Sequence, residues 1–224
     1  GLGIVSGLVR CRVFAHRALP RDHLVFQRTE QGTGQVPLVE DLRTLSGLSV
    51  ADLLHDFGDS AQVFGITDPL GAVVVDGLLQ ELGVQSWLKT SGGKGLHVVV
   101  PLMPRDDWDT VKAFAQAAVQ HLAQVIPQRF SARMGAANRV GKIFVDYLRN
   151  NHGATTAAAY SARSRPGLGV SMPIAWDDLA ALKRSDQWTV RTAREHLSFQ
   201  IADPWLDYWT CKQTLTKGLK TLGL

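Results

Sequence analysis

A glycine-rich turn followed by an apolar run sets the local fold near the middle of this chain. Lys89, Thr90, Ser91, Gly92, Gly93, Lys94, Gly95, Leu96 and His97 stand between the segment 84–88, which holds Val84, Trp87 and Leu88, and the apolar run Val98, Val99 and Val100. Glycine turns the backbone tightly and lets a ligand approach without interference from a Cβ. The pattern predicts a strand over 84–88, a turn, and a second strand over 96–101 that holds His97 at the mouth of the turn. Successive N–H groups in such a turn form an anion-binding concavity, to which Lys89 and Lys94 add charge. The segment is not a Walker A loop, because Leu88 and Gly95 stand where that motif needs Gly and Ser/Thr. By itself it reads equally as an ordinary β-turn or as a phosphate site.

The rest of the chain mixes both kinds of periodicity. Val111, Phe114, Ala115, Ala118, Val119, Leu122 and Val125 recur at helical spacing, which predicts a helix over 109–126 ended by Pro127. A helix ending over 78–82 is expected to stop at Gly83. Asp68-Pro69-Leu70-Gly71 reads as a turn. Strands are predicted over 142–148, 157–164 and 167–172, and a helix over 176–182 after a turn at Pro173. Residues 1–60 carry weaker signals: a turn at 31–35 and a short helix over 50–57. Helices and strands alternate without a βαβ rhythm, so the fold class is α+β or mixed.

With 224 residues, 45% of them hydrophobic and 20% charged, the chain can bury a substantial core. No apolar run approaches the ~18 residues of a membrane span, and the first residues lack the charged segment of a signal peptide. Cys11 and Cys211 show no metal-ligand spacing and read as free thiols in a reducing cytoplasm. A net charge of +4 permits nucleic-acid binding without establishing it.

Two further constellations carry chemistry. Asp146 stands in the apolar stretch 143–148, where alternation puts it on one face with Phe144 and Leu148. A carboxylate there needs a compensating partner. Either Arg149 or Arg139 supplies it as a salt bridge, or the carboxylate holds Mg2+ or Mn2+, which take oxygen ligands and bridge to phosphate. Arg163 and Arg165 lie two apart on a predicted strand, so they share a face and suit a phosphate held between two guanidinium forks. The other reading is a solvated basic edge.

Taken together, residues 88–102, 108–131, 138–150 and 159–176 closely resemble the polymerase domain of bacterial ATP-dependent DNA ligase D, a member of the archaeo-eukaryotic primase superfamily. Residues 203–208 resemble that family's C-terminal end. The resemblance implies an α+β primase-polymerase fold, with an RRM-like mixed sheet core wrapped by a second subdomain. On this reading residues 1–83 are the poorly recognisable N-terminal part, and 84–224 the catalytic core and C-terminal end. It implies a DNA-end-directed nucleotidyltransferase of non-homologous end joining, with two metal ions, Mn2+ or Mg2+, adding an NTP or dNTP to a 3′-hydroxyl. Carried over to matching positions, Ser91, Lys94 and His97 contact the triphosphate beside Lys89. Arg163 and Arg165 grip phosphates, Arg139 and Arg149 support them, and Asp68 and Asp146 are the catalytic, metal-holding carboxylates. Implied partners are gapped or broken 5′-phosphorylated DNA ends, a ligase domain and a Ku-type end-binding protein, with no membrane, in the bacterial cytoplasm at the nucleoid.

The sequence departs from the family at one point. The family's Asp-x-Asp-Pro motif is matched here by Ile66-Thr67-Asp68-Pro69, with Ile66 in the place of the first aspartate. Asp56, Asp59 and Asp76 are candidate substitutes, and His16, His23 and His55 lack the family's neighbours. The alternative function is therefore a catalytically impaired member that binds nucleotide or DNA ends. The six tryptophans offer base-stacking surfaces, although their spacings favour core positions.

Overall fold

The computed structural model describes residues 25–26 and 61–224. The expected turn at 31–35, the helix over 50–57, Asp56, Asp59, Cys11 and the three N-terminal histidines lie outside them. The central element is a four-stranded antiparallel sheet built from β2 (Ala61–Ile66), β4 (Leu96–Pro101), β3 (Trp87–Thr90) and β8 (Pro173–Ile174), in that order. Among the described residues two small parallel pairs complete the strands, β1 (Val25–Phe26) with β7 (Ser161–Ala162) and β5 (Phe130–Ser131) with β6 (Ile143–Phe144). The described residues also form the helices α1 (Pro69–Glu81), α2 (Trp108–Val125), α3 (Ala193–Phe199) and α4 (Thr216–Leu222), and the fold is α+β. None of the described helices is long and apolar enough to cross a membrane.

The period-two alternation of the strands divides the sheet into two faces with different chemistry. Phe64, Ile66, Leu88, Leu96, Val98, Val100 and Ile174 point to one face and join the main core. Helices α1 and α2 cover that face through Ala72, Val75, Leu79, Phe114, Ala115, Ala118 and Val119. On the opposite face Val63, Trp87 and Val99 pack with Trp205 and Tyr208, whose rings stack with centroids 4.5 Å apart. The Trp205 indole N–H donates to the Leu88 carbonyl at 2.9 Å, which fixes the C-terminal segment across the sheet.

Helix α2 forms as the periodicity predicts. Asp107 caps it by accepting from the Thr110 N–H at 2.8 Å. Helix α1 stops as expected, with Leu82 as its cap and Gly83 at φ +76°. Other expectations change. Asp68-Pro69 opens a helix instead of closing a turn, because Asp68 caps α1 and Pro69 needs no N–H donor there. The first strand begins at Trp87, since the backbone of Gln85 is engaged by the Gln213 side chain. Pro173 belongs to β8, and residues 176–181 form a 3-10 helix. The strand predicted over 142–148 is broken. Ile143–Phe144 pair with β5, and Asp146 then forms an isolated bridge to Gly65 on β2. Tyr160, at φ +61°, interrupts the strand predicted over 157–164, leaving Ser161–Ala162. Residues 169–171 pair with 160–163 through single ladder contacts, without forming an extended strand.

Candidate nucleotide-phosphate site

One transverse row of the sheet assembles the chemistry. Asp146 bridges to Gly65, Gly65 lies opposite His97, His97 opposite Lys89, and Lys89 opposite Pro173. These residues sit on the face away from α1 and α2. The reach of sheet pairing thus brings together positions as far apart in sequence as 65, 97 and 146.

Asp146 is held by its backbone. Its N–H donates to Gly65 O at 2.8 Å and its carbonyl accepts from the Gly65 N–H at 2.9 Å. Asn150 fastens the same segment. Its Oδ1 accepts from the Val63 N–H at 2.7 Å, and its Nδ2 donates to Val63 O and Tyr147 O. Asn150 is 2% exposed and imitates a strand partner for β2. Sequence reasoning missed this role, since an Asn in a polar run gives no sign of such a partner. Of the Asp146 carboxylate, Oδ1 accepts from the Leu148 N–H at 3.1 Å, and Oδ2 lies 3.7 Å from Arg149 Nε. Arg149 is therefore the compensating cation. Arg139 instead lies over the Phe144 ring, 4.5 Å from its centroid.

The glycine turn is closed by Ser91. Its Oγ accepts from the N–H groups of Gly93 (3.2 Å) and Gly95 (3.1 Å). That hydroxyl takes the place an anion would hold against these two donors, so Ser91 shapes the turn and retains one O–H to donate. Gly92 adopts φ +63°, and a Cβ there would meet Gly169 O at 2.6 Å and Arg163 Cγ at 2.9 Å. Lys94 is exposed, with no hydrogen bond or ion pair among the described residues.

The arginine pair converges on this turn. Arg163 Nη1 donates to Ser91 O at 3.4 Å. Arg165 Nη1 lies 3.7 Å from where a Gly93 Cβ would be. The two guanidinium groups thus approach the same turn, although the strand that presents them ends at Ala162. Partial burial, then the charges of Arg165 and Arg149, lower the Arg163 pKa. Such mutual repulsion is relieved by an anion.

Lys89 departs from its expected role. It is 3% exposed, and its ammonium contacts Ala157 O (2.6 Å), His97 Nδ1 (2.7 Å) and Ser171 Oγ (2.9 Å). All three donors are engaged within the protein, so Lys89 does not grip a ligand directly. Burial, and to a lesser degree Arg163, hold its pKa well below the ordinary lysine value. Burial likewise lowers that of His97 well below the usual imidazole value, followed by the charges of Lys89, Arg163 and Arg149.

The carboxylate set falls short of a two-ion centre. Asp68 Oδ1 accepts from the Gly71 N–H at 3.0 Å as the cap of α1. Ile66 is 2% exposed and packs in the main core, on the opposite face of β2 from Gly65. Asp76 is no substitute, since Ser86 Oγ and Gln80 Nε2 occupy its two oxygens. Among the described residues no group of three or more His, Cys, Asp or Glu is placed to hold a metal ion. The described donors do not fit two ions.

Residues 70–205 match the family model for the primase-polymerase domain of LigD, well over half of the chain. This chain belongs to the LigD primase-polymerase family. All the predicted site residues except Asp68 lie within the match, which begins after Gly65 of the row. Relatives include the multifunctional non-homologous end joining protein LigD of Pseudomonas aeruginosa, 52% identical over 64% of this chain and 17% of that protein. The LigD protein of Mycolicibacterium smegmatis is 37% identical over 47% of this chain and 14% of its own length. The chain thus spans under a fifth of these relatives. Among solved structures, the polymerase domain of Mycobacterium tuberculosis ligase D in complex with DNA superposes with a TM-score of 0.57. It is 28% identical, covering 62% of this chain and 51% of the other. The fold is the α+β primase-polymerase fold of that LigD domain.

Proposed function

We propose that the chain binds the triphosphate of an NTP or dNTP at this row, as the nucleotide site of a DNA-end polymerase domain acting in non-homologous end joining. The observation that carries the reading is the approach of Arg163 and Arg165 to the Ser91–Gly93 turn, with exposed Lys94 on the same turn and, among the described residues, no carboxylate in an ion pair with either arginine. Ser91 O–H, Lys94, Arg163, Arg165 and His97 are the groups offered to phosphate oxygens, and Arg149 balances Asp146 beside them. Arg139 supports the site through Phe144. The names of the relatives and the DNA in the similar structure support DNA ends as the second partner. A ligase domain and a Ku-type protein remain partners implied by resemblance alone.

Nucleotidyl transfer by two ions, Mn2+ or Mg2+, is the second reading. It is favoured by Asp146 lying beside His97 on the same row. It needs a further carboxylate from outside the described residues, so no catalytic step is assigned through a metal. Nucleotide incorporation on a gapped, 5′-phosphorylated DNA with Mn2+, run beside Asp146→Ala, separates the two. The described donor set predicts triphosphate binding without incorporation. Incorporation that Asp146→Ala abolishes establishes the second reading, and absence of both binding and incorporation refutes the first.

A further inference from the structure

Lys89 is a buried cation whose partners define where its protons go. Ala157 O can only accept. Ser171 Oγ gives its own proton to Thr90 O at 2.7 Å, so toward Lys89 it also accepts. An ammonium has three N–H donors and no lone pair. Its third N–H is therefore the one that meets His97 Nδ1, directly across the strand pair at 2.7 Å. The arrangement is rigid on both sides. Thr90 Oγ1 donates to Val170 O and accepts from the Met172 N–H, which fixes the 170–172 segment that carries Ser171 against β3.

We propose that Lys89 is a positioning residue whose ammonium fixes the orientation of the His97 ring and its tautomer, with the proton on Nε2, so that the imidazole offers an N–H donor to a phosphate oxygen. The proposal rests on the triphosphate reading of the same site. A neutral amine at Lys89 would invert the pair. Its lone pair would accept from Nδ1–H, and Nε2 would present a lone pair that repels phosphate oxygen. The Nε2–H form instead adds a donor to the set made by Arg163, Arg165 and Lys94. Lysine suits this role because its flexible stem carries a point charge with three donors to partners on separate segments.

Nitrogen NMR of the wild-type chain, labelled at histidine with 15N, tests the assignment without any variant. The expected spectrum for His97 at neutral pH shows Nδ1 in the bare, pyridine-like range and Nε2 in the protonated range, with Nε2 shifting when inorganic triphosphate is added. A protonated Nδ1 with triphosphate still bound overturns the proposal alone. The expected tautomer with no response to triphosphate supports the Lys89 assignment and overturns the phosphate reading. Lys89→Met is expected to mix the tautomers and weaken inorganic triphosphate about two- to tenfold. In a His97→Ala background the same change should leave affinity unchanged; an equal loss in both backgrounds shows a merely structural role and overturns the proposal. Ser171→Ala, which removes one acceptor from Lys89, gives the same comparison where Lys89→Met does not fold.

Discussion

His97 and Lys89 face each other on neighbouring strands, and the pKa of each is lowered, that of Lys89 by burial and then Arg163, that of His97 by burial and then the charges of Lys89, Arg163 and Arg149. A basic group whose folded pKa is lowered is protonated first in the unfolded chain. Its contribution favours the folded state above the unfolded pKa and is lost as pH falls toward the folded value. For His97 that loss begins near about pH 6.5, and for Lys89 near about pH 10.4. Thermal denaturation followed between pH 7 and pH 5 should therefore show Tm falling with pH, and His97→Gln should flatten that slope. An unchanged slope would mean that the imidazole is not shielded. Lys89 itself marks where sequence reading ran short. The glycines around it predict the turn between β3 and β4, but nothing in Lys89-Thr90-Ser91 tells which lysine faces inward. That depends on Ala157 and Ser171, far along the chain, closing over it.

Strand β2 shows what alternation decides at the level of an element. Gln62, Phe64 and Ile66 are buried on the helix-covered face, while Gly65 lies opposite His97 on the other. Ile66→Asp would therefore place a carboxylate in the main core instead of rebuilding a metal site. An unpaired carboxylate there should destabilise the fold by several kcal/mol or raise its own pKa, on the order of the cost of an unpaired buried charge. Denaturant unfolding and metal titration check this, and a stable variant that gains metal binding would refute the facing assigned to Ile66. Asn150→Ala should cost about 2 kcal/mol, because the Val63 N–H and C=O lose their partner at a partly buried position. Equal unfolding midpoints would contradict the strand-like role of Asn150. The long amphipathic helix α2 and the strand after the glycine turn were legible because each has an unbroken period. The strands near 146, 160 and 170 were not. They are short, interrupted by Tyr160 in the left-handed region or by a switch of partner from β5 to β2, and set by contacts no local pattern encodes.

At the scale of the molecule, the sheet separates duties between its faces. One face joins the helices in the core, and the other carries Trp205 and Tyr208 at one end and the row of Asp146, Gly65, His97 and Lys89 at the other. Trp205→Phe removes the bond to Leu88 O and should lower stability by about 1 kcal/mol. Triphosphate affinity should follow only as far as the sheet loosens, and a large affinity loss in a fully stable variant would contradict this division. Family membership was readable from ordered motifs, whereas the competence of the carboxylates was not, since it turns on which face of β2 each residue occupies. The most direct measurement is calorimetric titration of a nucleoside triphosphate into the wild-type chain and into the Arg163→Ala, Arg165→Ala double variant, at low and moderate salt. Losing charge-assisted bonds from two guanidinium groups predicts an affinity about ten- to a hundredfold weaker in the variant, with a shallower dependence on salt. Equal affinity in the two folded proteins would contradict the assignment of this row as a triphosphate site.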